Sequence, residues 1–194
     1  MAIATYSDLL KQIRSWSNRQ DLTDEQLESF TYLTGSMASQ LLRVVPMENT
    51  VILDVEPDGH VVIPADYQQL RSLTYEFNSE TSIPLSVLAW DQFINLRNDP
   101  NLNTPTRWYA RQGPYWFLAP APEATALGEP PKQVTCHYYR TMPDINPDEQ
   151  TNWLIDLSPL SYLYGSLHFL YLFLFDEERA AYWHEKFKIG RAHV

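Results

Sequence analysis

From Ser158 to Phe175 the chain carries no formal charge, and none appears until Asp176. Ser158 stands where a helix N-cap belongs and Pro159 at the first helical position, a pair that opens helices. Leu160, Leu163, Leu167, Leu170 and Leu174 recur at spacings of three and four and so share one face. Tyr164, His168, Tyr171 and Phe175 form a second stripe. Tyr162, Phe169 and Phe173 form a third, roughly opposite the leucines. A helix that is apolar on nearly every side is buried nearly all round. Its nine Leu and Phe side chains contribute at most about 15–25 kcal/mol gross when covered, since unfolded chains already hide some apolar surface. So small a protein has little with which to cover three stripes. Part of the cover is therefore expected from another subunit, which makes Tyr162, Phe169 and Phe173 candidate interface residues. The run is short for a bilayer, contains Gly165, Ser166 and His168, and is followed by acid, so a buried core helix is expected rather than a membrane span.

The N-terminal part is also helical in pattern. Thr5 and Asp8 form a weak capping pair before Tyr6, Leu9, Leu10, Ile13 and Trp16 on one face. Asn18 to Asp21 breaks that helix. Thr23 and Gln26 make a better capping box, followed by Leu27, Phe30, Thr34, Met37 and Leu41 on one side of a long second helix. It should end near Val45, because Pro46 follows. The middle reads differently. Thr50–Val55 and His60–Ile63 are expected strands around a Pro57-Asp58-Gly59 turn. Pro64–Leu70 reads as a short helical turn, Arg71–Phe77 as a strand and Leu85–Leu96 as a short helix. Arg107–Arg111, Tyr115–Leu118 and Gln133–Arg140 read as further strands, with proline-rich loops between. Asp176 caps a final helix, Glu177–Phe187. The expected fold class is α+β: a helical bundle formed from both chain ends with a β-rich insert, a small antiparallel or barrel-like sheet. We expect one domain over residues 1–187, with helices at about 5–45 and 158–187 and the insert at about 50–150.

The last seven residues, Lys188–Val194, match a translated sequencing adapter (aag-atc-gga-aga-gca-cac-gtc) codon by codon. They are expected to be adapter read-through, with the natural chain interrupted near Phe187; a native ending is the alternative. Composition narrows function further. Fourteen basic and 24 acidic residues give a net charge of −10, unlike the basic stripe of a dedicated nucleic-acid binder. Without the tail the balance is 12 minus 24, or −12. Cys136 is the only cysteine, which excludes a disulfide framework or a thiolate metal cluster. Nothing at Met1 onward resembles a secretory signal, so a reducing cytoplasm is expected. Aromatic residues reach 13%, which suits a large core or large contact surfaces.

No motif for chemistry stands out. There is no phosphate loop, nucleophile elbow or His-Glu-x-x-His. Cys136 and His137 are adjacent, so on a strand they point to opposite faces and form no dyad. His184 beside Glu185 reads as a solvated face, and His168 as a core histidine with its hydrogen bond met. Asp144, Asp148 and Glu149 lack Ca²⁺-loop spacing. With 24 acids, a pair placed for glycoside hydrolysis has almost no specificity. No catalytic residue, cofactor or metal is expected.

Three ordered segments carry a resemblance. The first is Trp16-x-Asn-Arg-x-Asp-Leu-Thr23 with the helix that leads into Leu41-Leu-Arg-Val-Val-Pro-Met-Glu48. The second is Val62-Ile-Pro-Ala-Asp-Tyr67 with Leu70-Arg-Ser-Leu73. The third is Asn152-Trp-Leu154, Tyr162-Leu-Tyr-Gly165 and Asp176-Glu-Glu-Arg-Ala-Ala-x-Trp183. In this order they resemble the head–tail adaptor (connector) proteins of short-tailed double-stranded DNA bacteriophages, the phage SU10 adaptor-like family. The chain departs from that pattern in its apolar Leu167–Phe175 stretch, and in stopping where the family continues into a portal-reaching arm. The resemblance implies a structural virion protein, not an enzyme, at the head–tail junction after assembly in the host cytoplasm. Its expected partners are itself in a ring, usually a dodecamer; the portal protein; tail nozzle or fibre proteins; and double-stranded DNA that passes through without specific binding. No membrane is involved. Asp54, Glu56 and Asp58 are candidate channel-facing acids, since a negative wall lets DNA slide. The Asn98–Pro105 loop is a candidate contact for tail partners. Alternative readings are another tail-completion or tail-tube protein and, in a different class, a virion-associated cell-wall glycan hydrolase.

Overall fold

The computed structural model describes residues 3–78, 80–99, 102, 104–122 and 131–191. They form an α+β chain in which helices from both ends flank a strand-rich middle, as expected. The chain falls into two compact units, one of residues 1–47 with 141–194 and one of residues 48–140.

In the helical unit, α1 (Tyr6–Ser17) starts where Thr5 accepts a hydrogen bond from the Asp8 amide, and it buries Tyr6, Leu9, Leu10 and Ile13. It ends at Asn18, whose left-handed φ of 54° suits asparagine. The Thr23–Gln26 capping box forms in both directions and opens α2 (Asp24–Leu41). α2 stops four residues before the expected Val45. Leu42 turns extended to bury its side chain, and Arg43 binds the Ser39 and Gln40 carbonyl oxygens at 2.9 and 3.3 Å. The buried face of α2 also differs from the one expected. It is built of Leu27, Phe30, Thr31, Thr34, Gly35, Ala38 and Ser39, and leaves Leu41 47% exposed.

The cause is the close approach of α5 (Pro159–Phe173), which buries Tyr162, Leu163, Gly165, Ser166, Leu167 and Leu170. At Gly165 the Thr34 side chain comes so near that a Cβ would stand 2.4 Å from its Cγ2. Polar groups in the seam are paired: Thr34 Oγ1 donates to Phe30 O at 2.8 Å, and Ser166 Oγ to Tyr162 O at 2.9 Å. A short helix, α4 (Trp153–Leu157), precedes α5 where no helix was expected; Asn152 caps it by accepting from the Leu154 and Ile155 amides. Ser158 does not cap α5 with its side chain, which pairs instead with Ser161 Oγ at 2.7 Å. Asp176 caps α6 (Glu177–Arg191) by accepting from the Arg179 amide at 3.0 Å.

The second unit holds β1 (Glu48–Asp54), β2 (His60–Val62), β3 (Tyr67–Asn78), β4 (Thr81–Pro84), β5 (Ser86–Val87), α3 (Trp90–Arg97), β6 (Trp108–Gln112), β7 (Tyr115–Ala119) and β8 (Gln133–Arg140). The strands form two four-stranded sheets, in the orders β1-β8-β3-β4 and β2-β7-β6-β5. All described pairings are antiparallel except β5 with β6. The sheets share one core, which includes Val61, Leu73, Tyr75, Trp116, Leu118, Val134, Cys136 and Tyr138. Neither sheet closes into a barrel. Gly59 supplies the positive φ of 80° that the Pro57-Asp58-Gly59 turn required. The expected helical turn at Pro64–Leu70 is instead the start of β3. Tyr67 enters the sheet because its ring finds partners there, 5.3 Å from Trp116 and 6.0 Å from Tyr138 between centroids. The helix expected from Leu85 begins only at Trp90, because Ser86 and Val87 pair with β6.

Gly165→Ala is expected to cost about 2 kcal/mol through overpacking against Thr34, lowering the thermal midpoint by about 4–8 °C. Adding Thr34→Ser, which removes the methyl group in the way, should recover at least half of that loss in calorimetry.

Candidate functional site

The three candidate interface residues do not share one environment. Tyr162 is 1% exposed. Its hydroxyl lies at Gly35, beside the Met142 methyl group. Burial pushes its pKa well above the ordinary tyrosine value, only partly offset by a hydrogen bond with Asn152. Tyr162 therefore belongs to the chain's own core. Phe169 is half-buried. Phe173 is half-exposed, its ring centroid 5.7 Å from that of Phe30. Beside it Leu172 is also exposed, and Phe175 is 93% exposed. The outward apolar surface of α5 thus lies at Leu160 in its first turn, at its C-terminal end and in the turn after it. Periodicity placed Phe175 on the Tyr164–His168 stripe, but α5 has already ended at that point. Asp176, the cap of the next helix, was the available signal that α5 stops before it.

The second stripe is covered from within. Tyr164 stacks on Trp183 at 5.6 Å, and Trp16 meets Trp183 at 5.8 Å. His168 Nδ1 donates to Ala180 O at 2.9 Å, the satisfied histidine expected. His184 is half-buried, its ring 4.8 Å from that of His168, rather than on a solvated face.

The candidate channel acids Asp54, Glu56 and Asp58 are all exposed, at the end of β1 and in the turn to β2. They differ in what holds them. Asp54 accepts from Gln133 Nε2 at 3.0 Å. The Glu56 amide donates to His60 O at 2.9 Å, which closes the turn. Asp58 pairs with the His60 ring, and that hydrogen bond holds its carboxyl below the usual range. Arg97 Nη2 donates to Asp58 O at 2.6 Å, so Asp58 is tied to the turn on both its side chain and its backbone. The Asn98–Pro105 loop lies partly outside the described residues.

Cys136 and His137 point to opposite faces of β8. Cys136 is fully buried, and burial pushes its thiol up to about 12. His137 is exposed, its Nδ1 2.7 Å from Thr50 Oγ1. The Asp144–Glu149 loop is folded around Asn146, whose Oδ1 accepts from the Asp148 and Glu149 amides at 2.9 and 2.8 Å. Among the described residues no group of three His, Cys, Asp or Glu is placed to hold a metal ion. Among them, too, no helix is long and apolar enough to cross a membrane. A thiol so placed should not react with an aromatic disulfide reagent at pH 8 while the chain is folded, and should react fully in denaturant. Stoichiometric labelling of the native chain would contradict the placement of Cys136.

No curated protein matches the sequence. The family model described as SU10 adaptor protein matches residues 4–192, nearly the whole length. The chain belongs to the SU10 adaptor protein family, and is thus a structural protein of a bacteriophage virion.

Proposed function

We propose that this chain is the repeating subunit of a head–tail connector ring, dodecameric as in the resemblance noted above. The ring docks under the portal, extends the DNA channel and gives tail nozzle or fibre proteins a platform. Membership of the adaptor family carries this reading. Two physical features support it. The end of α5 leaves Phe173 half-exposed and Phe175 almost bare, and apolar surface of this kind is what subunits cover. The net charge of −10 suits a wall along which DNA moves without sticking. The role is structural rather than catalytic, and the acids at Asp54 and Glu56 face the channel.

Phe169→Asp with Phe173→Asp should leave the helical spectrum intact and abolish the ring-sized particle formed with purified portal. Unfolding of the variant would mean that the face is internal core, and normal assembly would refute both views. Asp54→Lys with Glu56→Lys spares the Asp58–His60 turn. This variant should still assemble, but should retain DNA at about 50 mM salt and release it by about 200 mM. Indifference to DNA at low salt would remove these two residues from the channel wall.

A further inference from the structure

α5 and α6 form an antiparallel hairpin of two 15-residue helices, joined by Leu174, Phe175 and Asp176. The sequence of the join holds nothing that stops a helix, with no glycine or proline from Ser166 to Ile189. What turns the chain is Phe175, whose φ of +57° is in the left-handed region. Glycine enters that region freely, whereas a phenylalanine is strained in it. Its ring is also 93% exposed, which is unfavourable in water. The contacts across the hairpin are laid out evenly about this residue. Tyr164 stacks on Trp183, the His168 ring lies 4.8 Å from that of His184, and the Arg179 guanidinium lies over the Tyr171 ring at 5.5 Å. Each pair straddles Phe175 at nearly equal distances along the sequence. Carried straight through the corner, a helix would place Tyr164, His168, Tyr171, Phe175 and Arg179 on one stripe. α6 is held chiefly by α5.

We propose that α6 is an exchangeable arm. A second copy of this chain lays its α6 on this α5 and receives this α6 in return, and in each copy α5 and α6 become one continuous helix of about 50 Å. The occupant of the opened α5 face is fixed, because that face already binds α6. Exchange remakes the hairpin's contacts between copies, so closed and exchanged forms differ only at the corner. A short connection under strain favours exchange. Straightening takes Phe175 out of the left-handed region. The helix itself then satisfies the Tyr171 and Leu172 carbonyls, which in the closed form accept from the Asp176 and Phe175 amides at 2.9 and 3.1 Å. Because the contacts are even about Phe175, the two-fold axis of the pair passes beside it and the two Phe175 rings meet there. A ring that the closed chain leaves bare is thus covered. Asp176, which caps α6 by accepting from the Arg179 amide at 3.0 Å, is the contact that holds the corner closed. Exchange of this kind does not depend on the ring described above, since a pair forms from the chain alone.

The test uses the full chain, refolded from denaturant at high concentration and weighed in solution. The wild type should give a dimer. Phe175→Gly removes the strain from the closed corner and weakens the straight helix, so it should weaken dimerisation about tenfold. Asp176→Ala removes the α6 cap and adds a good helix former, so it should strengthen dimerisation about threefold. A dimer made by plain surface contact at Phe175 would respond to the first change and not to the second. His168→Cys with His184→Cys in one chain sets two thiols across the hairpin, to be joined by a short bismaleimide while buried Cys136 stays silent. Dimers of this variant should run as covalent pairs on a denaturing gel. Single-chain products from the dimer, or a wild type that stays monomeric at every concentration, overturn the exchange. Covalent pairs without any ring-sized particle on portal overturn the ring reading instead.

Discussion

The close approach of α2 and α5, with the Thr34 side chain lying against Gly165, is the constraint on which the helical unit depends. A missing side chain at Gly165 lets two helices from opposite ends of the chain touch. That approach decides which face of α2 is inside. It also places Tyr162 against Gly35 and Phe30 under Phe173. Small residues bring little transfer energy themselves, but they shorten the distance at which Leu163, Leu167 and Leu170 are buried. The polar atoms that come inside with them, Thr34, Ser166 and Ser161, find acceptors or partners in the seam.

The same seam explains what is left outside. α5 packs against α1, α2, α4 and α6, which leave Leu160 exposed in its first turn and cover most of its middle. At its last turn the sheath ends, and Phe173, Leu172 and Phe175 emerge. A helix apolar on every side thus divides into an internal length and an external tip. The β-rich unit is organised differently. Its core lies between two small sheets; outside, Thr50 pairs with His137 and Thr135 with Glu76, while Ile52, Val62, Phe77 and Val87 stay exposed.

Much of this could be read in the residues, and the failures have physical reasons. The caps at Thr5, Thr23 and Asp176 stand as read, because capping is local chemistry. The turn at Gly59 and the opposite facing of Cys136 and His137 on the Gln133–Arg140 strand were legible for the same reason. The face of α2 was legible only at Leu27, Phe30 and Thr34. Counting bulky side chains favours Met37 and Leu41, whereas close packing favours Gly35 and Ala38. Tyr67 had turn chemistry before it, but aromatic partners distant in sequence drew it into β3. On α5 every stripe was apolar, so periodicity could not say which one faces out. Of the expected interface trio, Tyr162 lies in the core, while Phe175, grouped with another stripe, is the most exposed.

The central claim is that this chain is a building block whose exposed apolar tip is covered by assembly. Native mass measurement of the purified chain, alone and with portal, tests it most directly. The account predicts a ring-sized multiple of the 22.6 kDa subunit, bound to portal. A particle that keeps the single-subunit mass at every concentration and in the presence of portal would contradict it.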